Sequence, residues 1–466
     1  MHILRKLFSA SLLVLVAGSL LAGCKTETAD PVTPPGSTGP NPPQYGTPFT
    51  GVPNREDAAM YQVNMRAFSQ AGNFAGVTAR LDSIRALGVN VLYLMPIYPV
   101  GQLRGVNSPY AVRDYRAVSP EFGTLADLRT LVDAAHARGL SVMLDWVANH
   151  TAWDHPWITA HPDWYQTNAA GTIVSPSNNG ITYNDVAQLN FSNDAMRKEM
   201  ISAMKSWVYT ANIDGFRFDY ADFQPVDFWS QAIDTLRNIR THRLLLLAEG
   251  TRAASYAVGF DYTFGFRFYG GLWDVYRRGQ PATAFDAFNT SEYVGATGTQ
   301  HVVRYITNHD VNGSDGTPVA LFGGKAGAMS AFVIAALYKG IPMVYNGQEA
   351  GMTTAIPFPF TSVKVAWGVN PDVKLAYQQL LTARAGTAAL RRGTPTSYST
   401  AAVCAFTKTL GNEQALVLVN VRNAATAYTL PAALAGTTWT DALQGGSVAL
   451  GTQVMLPPYG YVVLKR

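Results

Sequence analysis

The chain has 466 residues, 48% of them hydrophobic and 14% charged, which describes a globular protein with material for an extensive core. A formal net charge of +4 is small for this length, and no run of lysines or arginines occurs, so nucleic-acid binding is not expected. Aromatic residues, 11% of the chain, suit a large core and equally a site that stacks planar faces.

The first segment in chain order is a targeting sequence. Arg5 and Lys6 precede the apolar stretch "LFSASLLVLVAGSLLAGC", which is short for a membrane span and ends in small residues. The ending "LAGC" resembles a bacterial lipoprotein signal. That resemblance implies export, cleavage before Cys24 and acylation of Cys24, with the lipid as the only membrane contact; ordinary secretion with cleavage nearby is the plainer alternative. Cys24 and Cys404 are the only cysteines, so acylation of the first leaves no internal disulfide. Residues 1–24 are read as the signal peptide with its lipobox cysteine. Residues 25–56, rich in Pro, Gly and Thr and without an apolar period, are read as a tether.

From residue 57 short apolar runs alternate with amphipathic stretches. The runs are "MYQVNMR", "VNVLYLMP", "LSVMLDWV", "IDGFRFD", "RLLLLAEG", "GFDYTF", "HVVRYITN" and "IPMVYNG", most with a helical segment between them. Eight strand-then-helix units predict an α/β fold, a closed (β/α)8 TIM barrel over residues 57–394. An open doubly wound sheet is the competitor, but no G-x-G-x-x-G follows the first run. The third run ends near Trp146 and the fourth starts near Ile213, so residues 150–190 are expected to form a small excursion domain. After residue 395 helical periods stop, and "AVCAFTKT", "QALVLVNVRN" and "YGYVVLKR" predict an all-β C-terminal domain, a sandwich over 395–466.

Charged and polar residues collect at the C-terminal ends of the predicted strands: Asp145, Asn149 and His150 after the third, Arg217 and Asp219 on the fourth, Glu249 after the fifth, His309 and Asp310 after the seventh. That end of a (β/α)8 barrel carries the active site. Along a strand side chains alternate, so Arg217 and Asp219 share the mouth-facing side while Phe216 and Phe218 pack against helices. Taken alone, Arg217 and Asp219 would read as a structural ion pair.

Four stretches, "DWVANH" (145–150), "DGFRFD" (214–219), "AEG" (248–250) and "TNHD" (307–310), resemble in order and spacing the signature regions of the α-amylase family, glycoside hydrolase family 13. "LGVNVLYLMP", "SPYAVRDYRAVSPEFGT" and "GIPMVYNGQE" support the resemblance, which covers roughly residues 57–466. It implies that Asp219 is the nucleophile, Glu249 the acid and base, and Asp310 a ligand of the distorted sugar ring. Arg217 on the same strand face would favour the charged form of Asp219, while the nearby Asp219 and Asp310 would disfavour a third negative charge and so hold the proton on Glu249. His150 and His309 match sugar-hydroxyl ligands, and Tyr110 matches the aromatic under the reacting sugar. Trp153, Trp157, Trp164 and Tyr165 either line flanking subsites or pack the excursion domain.

The chain also departs from the family pattern. Asp222 and Phe223 stand where many starch-acting members have a Lys-His pair. "AQLN" puts Gln188 where the fifth region has an aspartate that commonly ligates calcium. Asn149 and Asp185 remain as metal ligands, which leaves calcium open, since it takes six to eight oxygens; no organic cofactor is expected. The expected activity is that of a retaining α-glucan hydrolase of α-amylase type, acting as a monomer on α-glucosidic (α-1,4) bonds of starch-like glucans or malto-oligosaccharides. The alternatives are a transglycosidase or glucan isomerase using the same carboxylates, or an inactive carbohydrate-binding accessory protein, which would lack one or more of them.

Overall fold

The computed structural model describes residues 41–466. Cys24 and the expected signal-peptide cleavage site lie outside that range. Eight parallel strands close into a barrel in sequential order: Met60–Val63, Val91–Leu94, Ser141–Val147, Gly215–Asp219, Leu245–Ala248, Tyr262–Phe264, His301–Arg304 and Ile341–Tyr345. The run "MYQVNMR" is strand only as far as Val63, because Met65–Phe68 turn into a short helix. Gly215 opens the fourth strand where backbones approach closely; a Cβ there would meet the Leu245 carbonyl oxygen at 2.0 Å.

The outer helices follow from capping and period. Leu125–His136 starts at a capping box, in which the Thr124 hydroxyl accepts from the Asp127 N–H and the Asp127 carboxylate accepts from the Thr124 N–H. It buries Leu128, Leu131, Val132 and Ala135 against the barrel. Val226–Arg237 does the same with Phe228, Trp229, Ala232, Ile233 and Leu236. Each large apolar side chain so buried contributes about 1.5–3 kcal/mol. Gly324–Leu337 is buried almost all round, since it lies between the barrel and the C-terminal domain.

That C-terminal domain begins at Thr394 and is all antiparallel: a six-stranded sheet and a two-stranded ribbon, Thr426–Thr429 with Gln453–Leu456. One face of the sheet joins the ribbon in a core with Val403, Leu416, Leu418, Trp439 and Tyr428. The other face, with Phe406, Val417 and Val463, packs on the catalytic domain, where Phe406 stacks on Tyr338 at 4.2 Å. Within the excursion, His150–Ala152 pairs antiparallel with Val186–Gln188, and Ser177–Asn178 with Ile181–Thr182. Among the described residues no helix is long and apolar enough to cross a membrane.

One expectation needs correction. The last part of the proposed tether, from Tyr45, is docked on the barrel. The Tyr45 hydroxyl donates to Asp133 at 2.6 Å, Arg129 lies over its ring, and Phe49 stacks on His136 at 4.3 Å. Asn212 donates to the Thr47 carbonyl, and Val52 is buried. Asp133, His136 and Asn212 sit at the C-terminal ends of outer helices. Helices run against the strands, so the docked segment lies on the barrel floor, opposite the mouth.

Candidate active site

The fourth strand pairs with the third so that Arg217 is opposite Asp145 and Asp219 opposite Val147. Phe216 turns outward onto Trp146 and Phe218 onto Trp229, while Arg217 and Asp219 point into the mouth. Arg217 is fully buried, a position tolerable only because it is paired. Its Nη1 donates to Asp145 Oδ1 at 2.7 Å and to Asp219 Oδ1 at 2.8 Å. Its Nη2 lies 2.6 Å from Glu249 Oε1, off the N–H direction, so this is a charge contact without a hydrogen bond.

Glu249 follows the fifth strand. Its Oε2 accepts the Tyr220 N–H at 2.7 Å, and its carbonyl accepts the Ala221 N–H at 2.9 Å. Tyr220 takes φ +55° to make this contact, a left-handed conformation that a bulky residue keeps at a cost. Asp222 does not reach into the mouth; its carboxylate accepts the Thr251 N–H at 2.8 Å. Gly250 leaves room for it, since a Cβ there would meet Asp222 Oδ1 at 2.2 Å.

The seventh strand leads to Asn308, whose side chain caps the helix His309–Asp315 by accepting from the Asp310 and Val311 N–H groups. His309 Nδ1 meets the Gln62 amide at 2.8 Å, and its Nε2 meets the Tyr110 hydroxyl at 2.6 Å. The Tyr110 hydroxyl also donates to Asp145 Oδ2 at 3.1 Å. These contacts are mutually consistent for a neutral His309 with its proton on Nε2, Gln62 donating to Nδ1. Burial, reinforced by the charge of Arg217, lowers His309 to about 4, so it is neutral near pH 7. Its ring stacks on Tyr110 at 5.5 Å, and its Nε2 is 3.5 Å from Asp310, the most open carboxyl of the site. Burial likewise lowers His150 to about 4. Its Nδ1 faces Asn149 and its Nε2 faces the Tyr110 carbonyl at 3.2 Å, so it stands in the site wall.

One guanidinium therefore serves three carboxyl groups, with Asp310 nearby. Burial pushes the Asp219 carboxyl well above the usual range; Arg217 opposes this, and the charges of Glu249, Asp145 and Asp310 reinforce it. Arg217 thus favours the charged form of Asp219, as expected, but burial and the neighbouring carboxylates outweigh it. Arg217 is shared with Asp145 and Glu249, and the cluster as a whole resists carrying every negative charge at once. Arg217 touches Glu249 as well as Asp219.

Residues 50–171 and 180–379 match the model for the α-amylase catalytic domain, and residues 397–463 match the maltogenic amylase C-terminal domain. The chain belongs to the α-amylase family. It is 25% identical over 425 residues to the α-amylase MalA of Haloarcula japonica, covering 85% of this chain and 60% of that protein. It is 29% identical over 345 residues to an α-1,4-glucan:maltose-1-phosphate maltosyltransferase of Rhodospirillum rubrum, covering 67% of this chain and 48% of the relative. The chain thus spans about half the length of these curated relatives. Among solved structures, an α-amylase from Lactobacillus plantarum superposes with TM-score 0.76 at 26% identity, over 88% of this chain and 99% of that one.

The α-amylase family's calcium position does not fit the residues present here. Asn149 Oδ1, expected to ligate the metal, accepts from Gln188 Nε2 and Gln224 Nε2, each at 3.2 Å. Gln188 Nε2 also faces the Asn149 carbonyl at 3.1 Å. Amide N–H groups thus occupy the directions a hard cation would need. Asp185 is only partly buried and joins no metal-like cluster; among the described residues no group of three His, Cys, Asp or Glu could hold an ion.

The mouth thus gathers Asp219, Glu249, Asp310, Arg217, Tyr110, His150 and His309. The tryptophans resolve toward packing: Trp164 and Tyr165 are buried, Trp157 sits among Tyr115, His155 and Trp164, and Trp153 lies under Arg104. Asp145, noted only as a strand-end charge, proves to be the buried anchor of Arg217 and Tyr110. Tyr93 donates to its Oδ2 at 2.7 Å. Gln62 and Gln224 carried no signal of their own, because each is one polar residue in an apolar or loop context.

Proposed function

We propose that this protein is a retaining α-glucan-active hydrolase that cleaves α-1,4-glucosidic bonds by double displacement. The observation that carries the reading is the placement of Asp219 and Glu249 on the two arms of one guanidinium, at 2.8 and 2.6 Å. Retaining sites need carboxyl groups about 5 Å apart, whereas inverting sites leave about 6.5–9.5 Å for a water. Sharing a single arginine supports the closer spacing.

In this reading Asp219 attacks the anomeric carbon, the glycosidic C–O bond breaks, and Glu249 passes its proton to the departing oxygen. Water then attacks the ester, its proton returns to Glu249, and Asp219 is released. The excess of carboxyl groups around Arg217 favours retention of a proton, and the reaction requires it on Glu249 when the glycosidic oxygen arrives. His309 and Tyr110, locked to one another and to Asp145, form a rigid neutral wall for the reacting sugar. Asp310, open beside them, faces its hydroxyls.

A sugar acceptor replacing water would make the same chemistry a transfer. That second reading is favoured by the similarity to maltosyltransferases and by Asp222 turning away from the mouth. Incubation with soluble starch, pullulan and maltotriose, followed by product chromatography, tests both. Shorter linear products support hydrolysis, longer ones transfer, and absence of any product rejects the α-glucan reading.

The lipid anchor at Cys24 belongs to the same proposal. Docking of Tyr45 and Phe49 on the barrel floor supports a mouth that faces away from the anchored end.

A further inference from the structure

The barrel floor carries a cavity of about 380 Å³ that the active site does not use, lined by Asn54, Arg55, Glu56, Arg237, Arg243 and Thr299. Leu244 and Leu245, at the start of the fifth strand, fix its place at the end opposite the carboxyl cluster. Three guanidinium groups meet here on one contacting carboxylate. Asp261, fully buried, lies 2.5 Å from Arg55 Nε and 2.6 Å from Arg237 Nη2. Among the described residues no carboxylate contacts Arg243. That side chain uses two of its five N–H groups, on the Val52 carbonyl at 3.3 Å and Asn54 Oδ1 at 2.8 Å. Glu56, the other acid of the wall, faces Arg392 at 4.0 Å, and Asp57 beside it is shared by Arg391 and Arg392.

More positive charge lies behind the wall. His301 opens the seventh strand opposite Tyr262, just past Thr299, and both of its ring nitrogens are buried without a partner. Burial lowers it to about 3, and the charges of Arg384, Lys408, Lys339 and Arg55 reinforce this, so four cations converge under the seventh strand. Arg384 and Lys408 are buried, and among the described residues neither is in an ion pair. Arg384 Nε has no partner, and Lys408 Nζ donates only to the Leu390 carbonyl, at 2.6 Å. A buried cation without a counter-charge is costly, so this end of the barrel favours an anion. Arginine presents its N–H groups in a fork that matches phosphate oxygens, and the cavity has room for that group.

We infer that this floor cavity, with Arg243 at its rim, binds a phosphate group. Two sources present that chemistry: free phosphate, inorganic or on a small ester, and the headgroup of an anionic phospholipid. Val52, Asn54, Arg55 and Glu56 belong to the docked segment that leads back toward Cys24. The residues between 24 and 45 can span about 70 Å when fully extended, so a lipid on Cys24 leaves the cavity within reach of headgroups. The headgroup source rests on the lipid anchor; the phosphate site itself is independent of both the anchor and the α-glucan reading.

Calorimetric titration of the purified protein with inorganic phosphate, at constant ionic strength, tests the site directly. Binding to one site is expected, with Kd raised about tenfold in Arg243→Gln, the scale of one charge-assisted contact, and largely restored in Arg243→Lys. Circular dichroism confirms the fold of each variant. Product formation from starch should not move in either, because Arg243 lies at the far end of the barrel from Asp219. A second titration, with a short-chain phosphatidylglycerol kept below its micelle concentration, separates the sources. A diester that competes with phosphate for the cavity assigns a lipid headgroup; phosphate bound while the diester is excluded assigns a free phosphate. Wild-type protein that binds neither probe, or binding that Arg243→Gln leaves unchanged, overturns the site.

Discussion

Asp145 and Arg217 are register partners on adjacent barrel strands, and their side chains meet at 2.7 Å with neither exposed to solvent. The Asp145 carboxylate also receives the hydroxyls of Tyr93 and Tyr110, so one buried aspartate positions both the arginine under the carboxyl cluster and the aromatic that touches His309. Asp145→Ala should therefore destabilise the fold by about 1–3 kcal/mol, because the buried Tyr93 and Tyr110 hydroxyls lose their acceptor while Arg217 keeps Asp219 as a partner. It should also reduce kcat more than the loss of folded fraction explains. Urea unfolding alongside kinetics on the folded fraction measures both; an unchanged midpoint would show that Arg217 does not depend on Asp145.

Glu249→Gln should lose turnover in proportion to how badly the leaving group needs a proton. Maltotriose, which departs as a sugar alkoxide, should lose about 10²–10⁴-fold, and an aryl maltoside with an acidic phenol far less. Equal losses on both substrates would remove Glu249 from the role of acid.

The four buried histidines should cost stability as pH is lowered from about 6.5 toward 4. Burial lowers His150 and His309 to about 4 and His155 and His301 to about 3; for His301 the nearby Arg384, Lys408, Lys339 and Arg55 reinforce this. Between these values and the ordinary histidine value the unfolded chain binds more protons than the folded one, so stability rises with pH across that window. The carboxyl groups raised by burial, Asp145, Asp185, Asp214, Asp219 and Asp310 together with Glu349 at about 7, oppose the histidines, so the histidine contribution is read as the difference between variant and wild type. His301→Phe should flatten the slope of Tm against pH between 6.5 and 4. A slope identical to that of the wild type would contradict the assignment.

The amide network at Asn149 predicts indifference to calcium. Tm should be the same in chelator as in millimolar calcium. Gln188→Asp, which returns a carboxylate to that place, should lower Tm in chelator by removing the donors to Asn149. A fall of more than about 4 °C in the wild type on chelation, worth about 1–2 kcal/mol in a chain of this size, would mean that the metal binds after all.

Much of this architecture is legible from local pattern. Eight apolar runs such as "VNVLYLMP" and "RLLLLAEG" can only be buried strands when helices with capping signals separate them, and period-2 alternation alone points Arg217 and Asp219 into the mouth. What pattern could not carry is contact between distant residues. The sharing of Arg217 among Asp145, Asp219 and Glu249 depends on strand register. The engagement of Asn149 by Gln224 joins positions 75 residues apart. Docking of Tyr45 and Phe49 was hidden because two aromatic anchors hardly alter a Pro- and Thr-rich composition. The Tyr220–Phe223 stack has no period to betray it, since it depends on one left-handed residue.

The central claim is that Asp219 forms a covalent bond to the anomeric carbon. A slow donor such as a 5-fluoro-α-glycosyl fluoride should trap that ester, and peptide mass spectrometry after acid quench and digestion locates it. The account predicts a single glycosyl adduct on Asp219, in the peptide that carries Arg217, and no adduct in Asp219→Asn. An adduct on Glu249 or Asp310, or full turnover of natural substrate by Asp219→Asn, would contradict it.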